Sequence, residues 1–87
     1  MPNELTDTIR GFILENYLFT DDVSALGLDD SLLERGIVDS TGMLEIITFL
    51  EVDLNVKVDD EDMTPENLDS VTRLVSFVER KREATSG

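Results

Sequence analysis

The sequence contains no cysteine and no histidine. The first absence removes disulfides and thiolate nucleophiles, the second removes Ser-His-Asp and Cys-His arrangements, and together they remove the usual zinc ligands. Lysine is scarce as well: Lys57 and Lys81 are the only two, both in polar surroundings. Carboxylates abound, but a chain of 87 residues is too small to enclose a pocket that would tune a pair of them for acid-base work. Catalysis by the chain alone is not expected. No apolar run approaches a membrane span, and no basic segment followed by an apolar run marks a leader, so the expected location is the cytoplasm.

What is present is acid. The formal net charge is −13, which repels phosphate backbones and anionic lipid and draws the chain toward proteins with basic patches. Nucleic acid and membrane are therefore excluded as partners. The length allows one domain, residues 1–87, with 83–87 read as a flexible tail. Without disulfides or a metal, packed helical faces must supply the stability, and 40% hydrophobic residues suffice for that.

Apolar residues at three- and four-residue spacing predict a first helix over about 4–18, through Leu5, Ile9, Phe12, Ile13 and Tyr17, with Asn3 as its cap. Residues 19–39 follow as a long connection. Its Leu26, Leu28, Leu32, Leu33, Ile37 and Val38 imply that it is tethered to the core, with a helical turn over 31–34 and a left-handed exit at Gly36. A second helix is expected from Asp39 or Ser40 to about Leu54. The alternation of Leu54, Val56 and Val58 suggests a strand, but no second strand exists to pair with it, so a pinned extended loop is expected. Thr64-Pro65-Glu66 starts a short helix ending near Leu68. Asp69 and Ser70 then cap a last helix with Val71, Leu74, Val75 and Val78 buried and Arg80, Lys81 and Arg82 in its final turn. The fold class is all-α: a four-helix bundle with three long helices, one short helix and a long first loop.

The stretch Glu34-Arg35-Gly36-Ile37-Val38-Asp39-Ser40-Thr41-Gly42-Met43-Leu44-Glu45-Ile46-Ile47 resembles the prosthetic-group attachment motif of acyl and peptidyl carrier proteins. The likeness continues through Phe49-Leu50-Glu51 and the segment from Asp59 to Ser70, so it spans nearly the whole chain. It implies that Ser40 bears a covalent 4′-phosphopantetheine derived from CoA. On that arm an acyl or aminoacyl group would be held as a thioester and delivered to partner enzymes by a monomeric carrier. It implies, too, a phosphopantetheinyl transferase that docks beside Asp39, an acyl- or aminoacyl-loading ligase, and downstream synthases with basic docking patches. Physical chemistry agrees: a helix N-terminus tolerates an anion, and a serine with no neighbouring base must be esterified by an outside enzyme. Ser70, behind Asp69, is the internal control, a serine expected only to cap a helix.

Residues 39–69 hold ten acids against Lys57 alone. Glu45, Glu51 and Asp53, with Met43 and Leu44, are the expected docking residues, and Leu50, Leu54, Met63 and Leu68 the expected contacts of a folded-back acyl chain. The fatty-acid version of the motif has Asp-Ser-Leu-Asp. Here Thr41 and Gly42 follow Ser40 and leave its hydroxyl approachable, while the first-turn acid is missing, which points to a specialised carrier for an amino acid, a polyketide or another secondary-pathway group. The competing reading is a non-catalytic acidic helical interaction module or weak calcium binder. An EF-hand loop counted from Asp59 would need glycine at Thr64 and glutamate at Ser70, so that loop fails and no metal site is expected.

Overall fold

The computed structural model describes residues 4–86, with side chains through Glu83; the Asn3 cap lies outside the described residues. Helix α1 spans Glu4–Ile13 and buries Leu5, Ile9 and Ile13, which recur one turn apart. The coil then widens into a π-helical turn, Leu14–Leu18, which ends at Phe19 in the left-handed region (φ 54°). Helix α2 spans Ser40–Val52, α3 Pro65–Leu68 and α4 Val71–Ser86. Both α1 and α3 pack on α4. The largest side chain sealed in the core is Phe77 of α4, which the sequence-based stripe omitted. Among the described residues there is no strand, and no helix is long and apolar enough to cross a membrane.

The long connection is tethered, and its tether is Asp69. Residues 31–35 make one helical turn, which closes as Gly36 (φ 68°) donates its N–H to Leu33 O and Ile37 donates to Leu32 O. From the α3–α4 junction, the Asp69 carboxylate accepts the Ser31 hydroxyl and the Leu33 N–H, and the Asp69 carbonyl accepts the Leu32 N–H. Leu26, Leu32 and Val38 are buried beneath, whereas Leu28 and Leu33 remain exposed. Asp69 thus does not share the capping of α4 with Ser70. Ser70 alone does that, its Oγ accepting the Arg73 N–H at 3.1 Å. Asp69→Ala should strip two charge-assisted bonds and lower stability by about 2 to 3 kcal/mol, read as an earlier urea midpoint. Asp69→Asn keeps one carbonyl acceptor and should lose less.

The alternating segment forms the expected pinned loop: Val56 and Val58 are buried, Lys57 is exposed, and Asn55 takes a left-handed φ of 56°. That turn lets Val56 N–H close onto Leu50 O at 3.1 Å and stops α2 at Val52, two residues before Leu54. Helix α4 continues to Ser86, so the tail expected from Glu83 is helical as far as that residue. For the same reason Arg80, Lys81 and Arg82 do not sit in a final turn. They reach sideways instead. Arg80 donates to Asn67 Oδ1, Arg82 to the Leu54 carbonyl, and Lys81 bridges Asp59 and Asp62 at 3.2 and 2.6 Å. These contacts fasten the α2–α3 connection to α4. The bridge holds the Asp62 carboxyl below its ordinary pKa and raises that of Lys81, in each case chiefly through the hydrogen bond between them.

Candidate functional site

The head of α2 is built by a division of labour between two neighbours. Asp39 is extended (φ −109°, ψ −168°), and its carboxylate accepts the Gly42 N–H at 2.8 Å. It is the N-cap, the role a serine could also have filled. Ser40 is therefore the first helical residue. It is exposed, and among the described residues no group bonds its hydroxyl. The contrast with Ser70 is complete: that serine is 4% exposed and spends its Oγ on a helix cap. The approach to Ser40 is fixed from behind, since Val38 is buried and donates its N–H to Leu32 O. No acid occupies the first turn of α2.

Gly42 does something other than clear the way to Ser40. It is buried, and a Cβ there would lie 3.1 Å from Val38 Cβ and 3.3 Å from Tyr17 Cε1. The missing side chain admits the Tyr17 ring, whose hydroxyl donates toward Gly42 O and Glu45 Oε1, each at 3.2 Å. Burial pushes the Tyr17 pKa up from 10.0 to about 12, helped by the hydrogen bond to Glu45 and by the charges of Glu45 and Asp39.

A cavity of 240 Å³ lies beside Ser40, lined by Met43, Leu44 and Ile47 of α2, by Met63, Thr64, Pro65 and Leu68 around α3, and by Leu33 of the loop. Of the six expected apolar residues, four (Met43, Leu44, Met63 and Leu68) are thus brought together with Ser40. Two are not. Leu50 is sealed in the core with Ile46, and Leu54 lies two residues beyond the end of α2 with Arg82 on its carbonyl. Leu44, one of the expected docking residues, is 57% exposed. Ile47 could have been found, since it stands one helical turn from Met43 and Leu44; Leu33 and Pro65 gave no signal in the sequence.

Of the expected acids, Glu51 and Asp53 are exposed and among the described residues have no side-chain partner, while Glu45 accepts the Tyr17 hydroxyl. Asp59 and Asp62 are held by Lys81. Among the described residues no three carboxylates converge as a metal site would require.

No protein-family model matches the chain. Curated D-alanyl carrier proteins of Streptococcus pyogenes, among them those of serotype M5 (strain Manfredo) and serotype M1, are 36% identical over 67 residues, 77% of this chain and 84% of theirs. The solution NMR structure of a holo acyl carrier protein from Nitrosomonas europaea superposes with a TM-score of 0.76 at 22% identity, covering 93% of this chain and 99% of that one. That likeness establishes the four-helix fold; the shared sequence with the curated carriers goes further. The chain belongs to the acyl carrier protein family, whose members present a group to partner enzymes and transform nothing themselves.

Proposed function

We propose that Ser40 carries a 4′-phosphopantetheine arm, that the arm holds an aminoacyl group, and that the protein is a specialised cytoplasmic carrier. The observation that carries the reading is the free, exposed hydroxyl at the first position of α2, with capping left to Asp39. The residues fit the group. Of the first-turn N–H groups, Gly42's is taken by the Asp39 carboxylate, and the positive end of the helix dipole suits the phosphodiester anion. Once attached, the arm supplies the thiol on which the cargo rides as a thioester.

The chain's own part is attachment and presentation. Esterification joins Ser40 Oγ to the phosphopantetheine phosphoryl group of CoA while the adenosine bisphosphate half departs. The hydroxyl proton must go to a base on the transferase, since the chain has no histidine to take it. Asp39 fixes the first turn and offers the transferase a carboxylate for its metal or basic surface. Met43 and Leu44 form an apolar patch beside the serine. Together with Glu45, Glu51 and Asp53 they are the surface we assign to the transferase, the loading ligase and the downstream synthases, steered by charge and weakened by salt.

The small cargo is favoured by two observations. The curated relatives are D-alanyl carriers by name, and Leu50, which a folded-back acyl chain would need to reach, is sealed in the core. The test is loading. Pantetheinylated protein should accept D-alanine from a D-alanine-activating ligase, and should be a poor substrate for purified fatty acid synthase enzymes, by tenfold or more in kcat/KM for about 1.4 kcal/mol of lost docking. Ordinary efficiency with the fatty acid enzymes would sink the specialised reading.

A further inference from the structure

The cavity beside Ser40 keeps apolar side chains partly in solvent on three elements: Leu44 from α2, Met63 (41% exposed) from the segment before α3, and Leu33 (38% exposed) from the first loop. Apolar groups gathered in this way are a surface that a partner covers. Leu33 is too exposed for burial alone to fix it, and its backbone is fixed instead. Its carbonyl accepts the Gly36 N–H within the loop, and its N–H is donated to Asp69 Oδ1 at 2.9 Å. The second of these bonds crosses to the α3–α4 junction. The other oxygen of the same carboxylate accepts the Ser31 hydroxyl, so the turn that carries Leu33 is gripped at its start as well.

We infer that Asp69 is a positioning residue for the modification of Ser40. Its carboxylate sets Leu33 in the cavity wall, and Leu33 is a third apolar contact, beside Met43 and Leu44, for the enzyme that esterifies the serine. The inference rests on the reading of Ser40 as the attachment point. Asp69 grips the loop at two levels, and they do different things. Its backbone carbonyl accepts the Leu32 N–H at 3.0 Å, and Leu32 O accepts the Val38 N–H. The approach to Asp39 and Ser40 therefore hangs on the main chain of Asp69, while the wall hangs on its side chain. Removing the carboxylate frees Leu33 and leaves the serine in place. A contact of this kind contributes equally to the bound and reacting states, so its loss raises KM and spares kcat.

The test uses unmodified protein, CoA and a promiscuous phosphopantetheinyl transferase, with initial rates followed by intact mass over a range of carrier concentrations. Leu33→Ala shortens an exposed side chain, should leave the fold intact, and should raise KM about fivefold at unchanged kcat, as truncating an interface contact does. Asp69→Ala should raise KM by a similar factor. Asp69→Asn, whose amide oxygen can still accept the Leu33 N–H, should recover most of that loss. Adding Asp69→Ala to Leu33→Ala should cost little more, because both act through one contact. Ser70→Ala loosens the neighbouring cap without touching Leu33, so its KM should stay at the wild-type value. Without any enzyme, Asp69→Ala should shift the amide resonances of Ser31, Leu33 and Glu34 and leave those of Asp39 and Gly42 in place. An unchanged KM in Leu33→Ala, equal losses in the Ala and Asn variants of Asp69, independent losses in the double variant, or a raised KM in Ser70→Ala would overturn the inference. A wild type that takes no arm overturns the reading of Ser40 itself, and this inference with it, so the two failures are told apart.

Discussion

Ser40→Ala should gain no mass when incubated with CoA, Mg²⁺ and a promiscuous phosphopantetheinyl transferase, whereas wild type and Ser70→Ala should each gain one phosphopantetheine. The two serines follow the same residue type and head the same kind of element, so the pair isolates geometry from sequence. Ser40 Oγ is exposed and bonded to nothing among the described residues, so its removal should change stability by no more than about 0.5 kcal/mol. Ser70 Oγ is buried on the Arg73 N–H, and its removal should lower stability by about 1 kcal/mol through the lost cap. The expected signature is therefore crossed: the variant that folds best accepts nothing, and the weakened one is modified normally. Intact mass gives the first readout and a urea midpoint the second. Arm found on Ser70, or on the Ser40→Ala protein, ends the assignment.

Much of this was legible because the signals were local. Helix α3 begins where Thr64-Pro65-Glu66 places it, since proline fixes its own φ and lacks only an N–H that a first helical residue does not use. Gly36 is left-handed because the turn over 31–35 needs an exit that a side chain would strain. The face of α2 was harder to read. Met43, Leu44, Ile46, Ile47, Phe49, Leu50 and Val52 surround that helix with apolar groups, so periodicity alone could not say that Ile46 and Leu50 are sealed while Leu44 and Val52 face solvent. Partners distant in sequence were hidden altogether. Nothing near Asp69 announces that it holds Ser31 and Leu33, and nothing near Lys81 announces Asp59 and Asp62. A linear reading gives each a place next to its own helix, a cap for Asp69 and the final turn for Lys81, because those are the interactions it can see.

Gly42 is the instructive case, since its role reverses between the two views and the difference can be measured. If glycine merely left Ser40 approachable, leucine there would stabilise α2 by about 1 kcal/mol of helix propensity and affect little else. The structure predicts the opposite. A Cβ at Gly42 already crowds Val38 and the Tyr17 ring, and the rest of a leucine would need the space that the ring fills. Gly42→Leu should therefore expel Tyr17 and lower stability by about 1 to 3 kcal/mol, as overpacking of a filled site does.

Tyr17 is the sole tyrosine and the chain has no tryptophan, so tyrosinate absorbance reports on this ring alone. In the wild type its pKa is raised from 10.0 to about 12. The fold thus favours the neutral phenol, and that contribution to stability is whole below pH 10.0 and drains away as pH climbs through about 12. In Gly42→Leu the midpoint should fall back toward 10.0, because the exposed ring loses both its burial and the Glu45 contact. Adding Tyr17→Ala should recover part of the lost stability, since the vacated space can take the leucine, with a coupling of about 0.5 to 3 kcal/mol between the two sites. Additive losses, or a tyrosine midpoint that stays near 12 in Gly42→Leu, would show that the ring does not depend on the bare backbone at Gly42.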